Sequence, residues 1–294
     1  MASELRKRVA VAAVGIPVAV VVLYLGGWIM AVILAAIAAV AAAELYRIAR
    51  QRGIEPFRAV GCAQAALAVL STVLTPDPRA AMAWSWVILL ATSLSVATVA
   101  LFRRGVAGAP LAAVSVTVFG ALFTGGTLAC AMFLRSLPVV GDDAGAHRWI
   151  GPAFVLFPLA LTWTNDTAAF FGGRAFGRRK LMPSVSPAKT VAGAIAGVVG
   201  TVAAGAVYAQ FVFRGWLGVP VSVAVGALAG LIVSPVAQLG DLVESLVKRE
   251  AGVKDSGALL PGHGGVLDRF DSLFFTIPVT YWLLALLLGT GVVP

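Results

Sequence analysis

The densest polar stretch of the sequence runs from Ser245 to Asp271, SLVKREAGVKDSGALLPGHGGVLDRFD, between apolar runs near 219–240 and 272–291. It carries Lys248, Arg249, Glu250, Lys254, Asp255, Asp268, Arg269 and Asp271, and one of the two histidines, His263. Of the 13 acidic residues in the chain, six fall between Asp241 and Asp271 (Asp241, Glu244, Glu250, Asp255, Asp268 and Asp271). Gln238, Asp241, Ser245 and Lys248 follow the 3, 4, 3 spacing that puts side chains on one helical face. Asp268 and Asp271 are three apart, so both carboxylates share a face at the start of an apolar helix, where free N–H groups favour anions. Carboxylates gathered in this way suit a hard divalent cation such as Mg²⁺, which takes few carboxylates together with substrate phosphates. A salt-bridge network among Asp268, Arg269, Lys248 and Glu244 is the competing arrangement.

Other candidates are weaker taken singly. The turn Gly262–Gly265, GHGG, offers main-chain N–H groups as phosphate cradles do, although four residues alone carry little, and His263 suits a structural hydrogen bond equally well. Lys254-Asp255 could be a solvated pair. Asp166, in LTWTNDTAAFFGG, lies about eight residues (roughly 12 Å of helix) inside the end of an apolar run. An acid in such a place costs roughly 2.5–3.5 kcal/mol on insertion scales and marks a functional site by default. Asn165 beside it adds an amide. The block 172–190, GGRAFGRRKLMPSVSPAKT, joins five basic residues to Gly, Ser and Pro. It serves topology first, and polyanions such as nucleotide phosphates or anionic lipid headgroups second. Asp142, Asp143 and His147 could hold a metal or form a solvated loop.

These residues need a scaffold, and composition says which. Of 294 residues, 60% are apolar and 12% charged, against about 25% charged in a soluble domain, and mean hydropathy is +0.96. The expected fold class is an all-α polytopic membrane protein. Cys62 and Cys130 lie in apolar runs and read as buried thiols, not as a disulfide framework. Nine apolar runs are long enough to cross a bilayer or nearly so: near 9–25, 28–43, 59–75, 81–101, 110–134, 149–171, 191–213, 219–243 and 272–291. The first reads as a retained span, not a cleaved signal.

With the N-terminus cytoplasmic and the C-terminus outside, the cytoplasmic segments hold 18 of the 22 basic residues, leaving Arg79, Arg135, Arg148 and Arg214 outside. Nine transmembrane helices therefore satisfy the positive-inside rule. The net charge of +9 is placed for loops and headgroups, so no nucleic-acid partner is expected. The expected organisation is an N-terminal bundle of about five spans, 1–135, and a catalytic bundle of about four, 136–294, with cytoplasmic loops 172–190 and 245–271. The protein is expected in the cytoplasmic (inner) membrane, multi-pass, with its site facing the cytoplasm. Gly193/Gly197 and Gly226/Gly230 let helix backbones approach closely, within the chain or in a homodimer through membrane helices.

The run Ser245–Asp271, with its K-R, K-D, H-G-G and D-R-F-D positions, resembles the hallmark of the phosphatidate cytidylyltransferases (CDP-diacylglycerol synthases). Asn165–Thr190 is similar to that family's second conserved region, and over the first 150 residues the likeness is architectural only. The resemblance implies a Mg²⁺-dependent reaction in which CTP and phosphatidic acid give CDP-diacylglycerol and pyrophosphate, with K⁺ able to accompany Mg²⁺. Carried over by position, Asp241 and Asp268 bind the metal, supported by Asp271. Lys248, Arg249, Lys254, Asp255, His263, Gly264 and Arg269 hold triphosphate or lipid phosphate. Asp166, Lys189, Ser186, Asn165 and Arg174 complete the site from the second region. Other readings are a CTP-using transferase with a different lipid acceptor, a polyprenol kinase, or a transporter. A transporter would commonly show internal repeats with midplane charges, and neither is seen.

One departure from the family pattern is testable. The family usually reads S-P-K-K-[ST]-x-E-G where this chain has Ser186-Pro187-Ala188-Lys189-Thr190-Val191-Ala192-Gly193, so a Lys and a Glu one helical turn apart are both Ala. If an ion pair was lost as a unit, the variant carrying Ala188→Lys and Ala192→Glu turns over at the unaltered rate. A gain of about 100-fold or more, the scale of a general acid or base, would instead give that Glu a part in the chemistry.

Overall fold

Long runs of Ala, Val, Leu and Ile without polar neighbours leave the backbone no water to bond to, so helices satisfy it internally. The computed structural model describes residues 2–75, 77–105, 108–138, 148–257 and 264–288, with backbone alone for 2–12, 14 and 78. Each of the nine apolar runs coincides with a helical stretch. These are α1 (Ala2–Leu25), α2 (Gly27–Arg50), α3 (Arg58–Leu70), α4 (Pro78–Arg103), α5 and α6 (Pro110–Ala121 and Thr127–Arg135), α7 (Ile150–Phe176), α8 (Val191–Tyr208), α9 (Val223–Glu250) and α10 (Leu273–Leu287). Wide π turns join α5 to α6 at Leu122–Gly126 and extend α8 through Ala209–Trp216. Among the described residues, six helical runs are both long and apolar enough to cross a membrane, and the chain is a multi-pass membrane protein.

Several elements differ from expectation. α7 continues to Phe176 and α9 to Glu250, so the polar stretches expected as loops begin as helix. What remains of 172–190 is not loop either: β1 (Lys180–Met182) and β2 (Ser186–Thr190) pair antiparallel in a small hairpin. Asp142, Asp143, His147 and His263 lie outside the described residues.

The chain divides into two compact units, Met1–Phe133 with Val247–Phe270, and Leu134–Leu246 with Asp271–Pro294. The polar island does not stay with the C-terminal helices, because residues 247–270 pack with the N-terminal ones.

In the first unit α2 presents a small-residue face, with Ala35, Ala38, Ala41 and Ala42 buried. Tyr46 is wholly buried and donates to the Thr117 carbonyl at 2.7 Å. Gly61 and Gly120 leave room for its ring, since a Cβ at either would overlap it. Gln64 of α3 donates to the Leu89 carbonyl and to Ser93 of α4.

In the second unit α7, α8 and α9 touch through glycines. A Cβ at Gly193 would meet the Ala169 carbonyl, at Gly197 the Asn165 side chain, and at Gly230 the Thr201 carbonyl. Gly205 and Gly226 face each other the same way. Both predicted small-residue pairs thus serve packing inside one chain, as expected where lipid tails remove the hydrophobic drive for helices to associate. Phe154, Phe157, Tyr208 and Phe213 form an aromatic cluster with ring centroids 5.0–5.2 Å apart. Gly226→Val should cost about 1–3 kcal/mol by overpacking, seen as a lower melting temperature in detergent. Gly15→Ala, where nothing lies within 4 Å, should leave melting unchanged, and equal melting of both variants would contradict this packing.

Candidate active site

Two groups of the predicted residues assemble, one in each unit. In the second unit the sequence around 186–194 turns from strand to helix at Thr190. Its hydroxyl accepts from Gly193 N at 3.1 Å and caps α8. Gly173 and Gly177 are bare where Thr190 sits, because a Cβ on either would strike its side chain. The hairpin is thereby fastened between the end of α7 and the start of α8. From β2, Lys189 reaches Asp241 of α9, Nζ to Oδ2 2.7 Å. Ser245, one turn on, bonds the other oxygen of Asp241 at 3.3 Å.

Beneath them lies a buried amide and hydroxyl network. Asn165 Oδ1 accepts from Ser234 Oγ at 2.7 Å and from Gln238 Nε2 at 3.2 Å, while Asn165 Nδ2 donates to Asp166 Oδ1 at 3.2 Å. Gln238 also donates to the Ala194 carbonyl, so α7, α8 and α9 are cross-linked at one level. Asn165 is 2% exposed and held through its oxygen by two donors, which makes it an orienting group for Asp166. Asp166 itself is exposed.

These residues line a cavity of about 520 Å³ with Arg174, Lys180, Ala188 and Thr190, within the range of ligand pockets. Two carboxylates and three cations around one cavity can hold polyanions, with or without a bridging cation. Ser186 lies at the far end of β2, paired with Met182, and is not among the lining residues. Asp271 bonds the main-chain N–H of Ser272 at 2.6 Å.

In the first unit Asp268 is almost out of water, its side chain 7% exposed, and Lys248 Nζ lies 2.7 Å from Oδ1. Asp268 Oδ2 accepts from Ser256 N at 2.9 Å, Ser256 Oγ at 2.9 Å and Gly265 N at 2.8 Å. Gly265 N thus meets an anion that is the protein's own carboxylate. Gly264 has φ +80° and abuts the same group, a conformation that suits glycine. Arg249, Lys254, Asp255 and Arg269 are exposed.

Among the described residues no group of three or more His, Cys, Asp and Glu side chains gathers as a ready metal site. Mg²⁺ does not need one, since it commonly uses one or two carboxylates plus phosphates. Asp166 and Asp241, hard oxygen donors on one cavity, fit that pattern. The residues that sequence reasoning missed are Ser234, which bonds Asn165, Ser256, which bonds Asp268, and Glu44 and Arg47, which both bond Ser256. An acid at the end of an apolar run was the single signal available, at Glu44.

Residues 6–287 match the sequence pattern of the Cytidylyltransferase family. The chain belongs to that family. It is 34% identical over 300 residues to the phosphatidate cytidylyltransferase of Synechocystis, covering 96% of this chain and 97% of that protein. It is 35% identical over 301 residues to phosphatidate cytidylyltransferase 4, chloroplastic, of Arabidopsis thaliana, covering 95% of this chain and 73% of that one. With the phosphatidate cytidylyltransferase of Brucella suis it shares 40% over 208 residues, 67% of this chain and 71% of the relative. Both assembled groups fall within the matched residues.

The Lys248–Asp268 pair gives a stability test. Lys248→Met leaves a buried carboxylate without its cation and should cost about 3–5 kcal/mol, read as melting in detergent. Adding Asp268→Leu should restore most of the loss. Two losses that simply add would show that the pair is not coupled.

Proposed function

We propose that this cytidylyltransferase-family protein transfers the cytidylyl group of CTP to phosphatidic acid, giving CDP-diacylglycerol and pyrophosphate. The observation that carries the reading is the cavity of the second unit, where Asp166, Asp241, Lys189, Arg174 and Lys180 meet, in a chain whose full-length relatives bear that activity in their names. A phosphate oxygen of the lipid attacks the α-phosphorus of CTP, the bond from that phosphorus to the bridging oxygen breaks, and pyrophosphate leaves. The lipid phosphate is already an anion near pH 7, so no general base is required. Two polyanions must be brought together, and such catalysis is largely positioning and charge neutralisation.

Lys189, Arg174 and Lys180 suit the phosphates. Asn165, locked by Ser234 and Gln238, holds Asp166 towards the cavity. Asp241 and Asp166 would hold Mg²⁺, with K⁺ as a further cation, and that ion would offset charge on the transferring phosphoryl group. On the strength of their motif, Asp268, with Asp271 in support, is proposed as a further metal ligand, and Lys248, Arg249, Lys254, Asp255, His263, Gly264 and Arg269 are proposed to hold phosphate.

The same reading places nine crossings in the cytoplasmic membrane, with the N-terminus and the site on the cytoplasmic side and the C-terminus outside. Its support is that 18 of 22 basic residues fall in the segments so assigned.

The test is purified chain in detergent with Mg²⁺, CTP radiolabelled at the α-phosphate and phosphatidic acid. Label should enter lipid with one pyrophosphate released per transfer. Asp241→Asn should lower kcat by about 100-fold or more, beyond the 10–100-fold cost of losing an outer partner of a metal ligand. CDP release with a polyprenol acceptor would indicate a kinase, and near-normal turnover of Asp241→Asn would remove Asp241 from the site.

A further inference from the structure

Glu44 is a buried acid with no role in the reaction as drawn so far. It lies near the end of α2, 6% exposed, and its carboxylate accepts from Ser256, Val266 and Leu267, more than two hundred residues away. Oε2 accepts from Ser256 Oγ at 3.0 Å and from Leu267 N at 2.8 Å, and Oε1 accepts from Val266 N at 3.1 Å. Arg47, one turn along the same face of α2, donates to the Ser256 carbonyl. The pair therefore grips the polar segment at both ends, at Ser256 and at Val266-Leu267. Gly257 and Gly265 have no side chain because Glu44 occupies the space: a Cβ on Gly257 would overlap Oε1, and one on Gly265 would overlap Oε2 and the Ser256 hydroxyl.

The Ser256 hydroxyl links this grip to Asp268. It lies 3.0 Å from Glu44 Oε2 and 2.9 Å from Asp268 Oδ2. A hydroxyl carries a single hydrogen, so its donation is shared between two carboxylates. Ser256 N and Gly265 N, the main-chain donors to Asp268, belong to residues whose position Glu44 sets. Any turn of the Glu44 carboxylate is thus passed to every main-chain donor that orients Asp268. A Gln in its place would set an NH₂ against N–H and O–H donors, leaving a buried donor unmet.

We propose that Glu44 is a positioning residue for Asp268, acting through Ser256 and Gly265 and seconded by Arg47; this rests on the transferase reading given above. The experiment uses the full chain in detergent, unaltered and as Glu44→Gln, Ser256→Ala and the double variant. In metal-free protein, amide exchange at Val266 and Leu267 should rise at least about tenfold in Glu44→Gln, the loss of a charge-assisted bond. In the CTP and phosphatidic acid assay, kcat of Glu44→Gln should fall about 10–100-fold with KM for CTP unchanged. Ser256→Ala should fall in the same parameter, and the double variant should be no slower than Glu44→Gln, because both act through one oxygen of Asp268.

A folded Glu44→Gln with unaltered kcat and exchange overturns the proposal, as does a rise in KM alone or losses that multiply in the double variant. If Glu44→Gln does not fold, Ser256→Ala decides: a lowered kcat supports the proposal and an unaltered one overturns it. An unaltered chain that transfers no cytidylyl group at all refutes the transferase reading instead, and this inference with it.

Discussion

A carboxylate taken out of water must be met by donors from the protein, or the fold does not tolerate its charge. In the first unit two such carboxylates, Glu44 and Asp268, are met by Ser256, Gly265, Val266 and Leu267, with Lys248 on Asp268. This requirement explains features that have no common cause otherwise. Gly257 and Gly265 are bare because an oxygen lies where a side chain would be. Ser256 is only 2% exposed because its hydroxyl stands between two acids. Lys248 ends α9 as the cation for Asp268. The packing of residues 247–270 with the N-terminal helices follows from these bonds, which join α2 to a stretch that lies far from it in sequence.

The second unit meets the same constraint with different materials. Its helices approach at glycines, so side chains add little to the contact, and polar groups fix the register: Asn165, Ser234 and Gln238 tie three helices at one level. On this rigid floor the hairpin is hooked by Thr190, and Lys189 is delivered to Asp241. A cation lying on a carboxylate beside an open cavity is held ready for an anionic ligand, because phosphates compete for the ammonium group and a metal ion for the carboxylate.

Much of this was legible in the sequence for a physical reason. Helices in lipid must be long, apolar and internally bonded, so hydropathy marks α2, α4, α9 and the rest one by one. The polar island and the 165–190 block stood out for the same reason, being too costly for apolar runs to carry idly. The end of α7 was not legible, because Arg174 reads as a loop residue while helix bonding continues beneath it, whereas the 3, 4, 3 spacing already carried α9 as far as Lys248. The hairpin was hidden because Ser186-Pro187-Ala188-Lys189-Thr190 has no strand pattern, and its pairing depends on Thr190 fitting between Gly173 and Gly177. Glu44 was hidden more deeply: its partners are more than two hundred residues distant, and no local spacing reports such a contact. Nor could the sequence tell that the main-chain N–H of Gly265 would be taken by Asp268.

The central claim is that carboxylates held by this network present their oxygens to a cation shared with the nucleotide. Its most direct measurement is electron paramagnetic resonance of Mn²⁺, standing in for Mg²⁺, bound to the purified chain with and without CTP. The account predicts one nucleotide-dependent Mn²⁺ per chain, absent in Asp241→Asn although that variant melts as the unaltered protein does. Undiminished Mn²⁺ binding by a folded Asp241→Asn chain would contradict it.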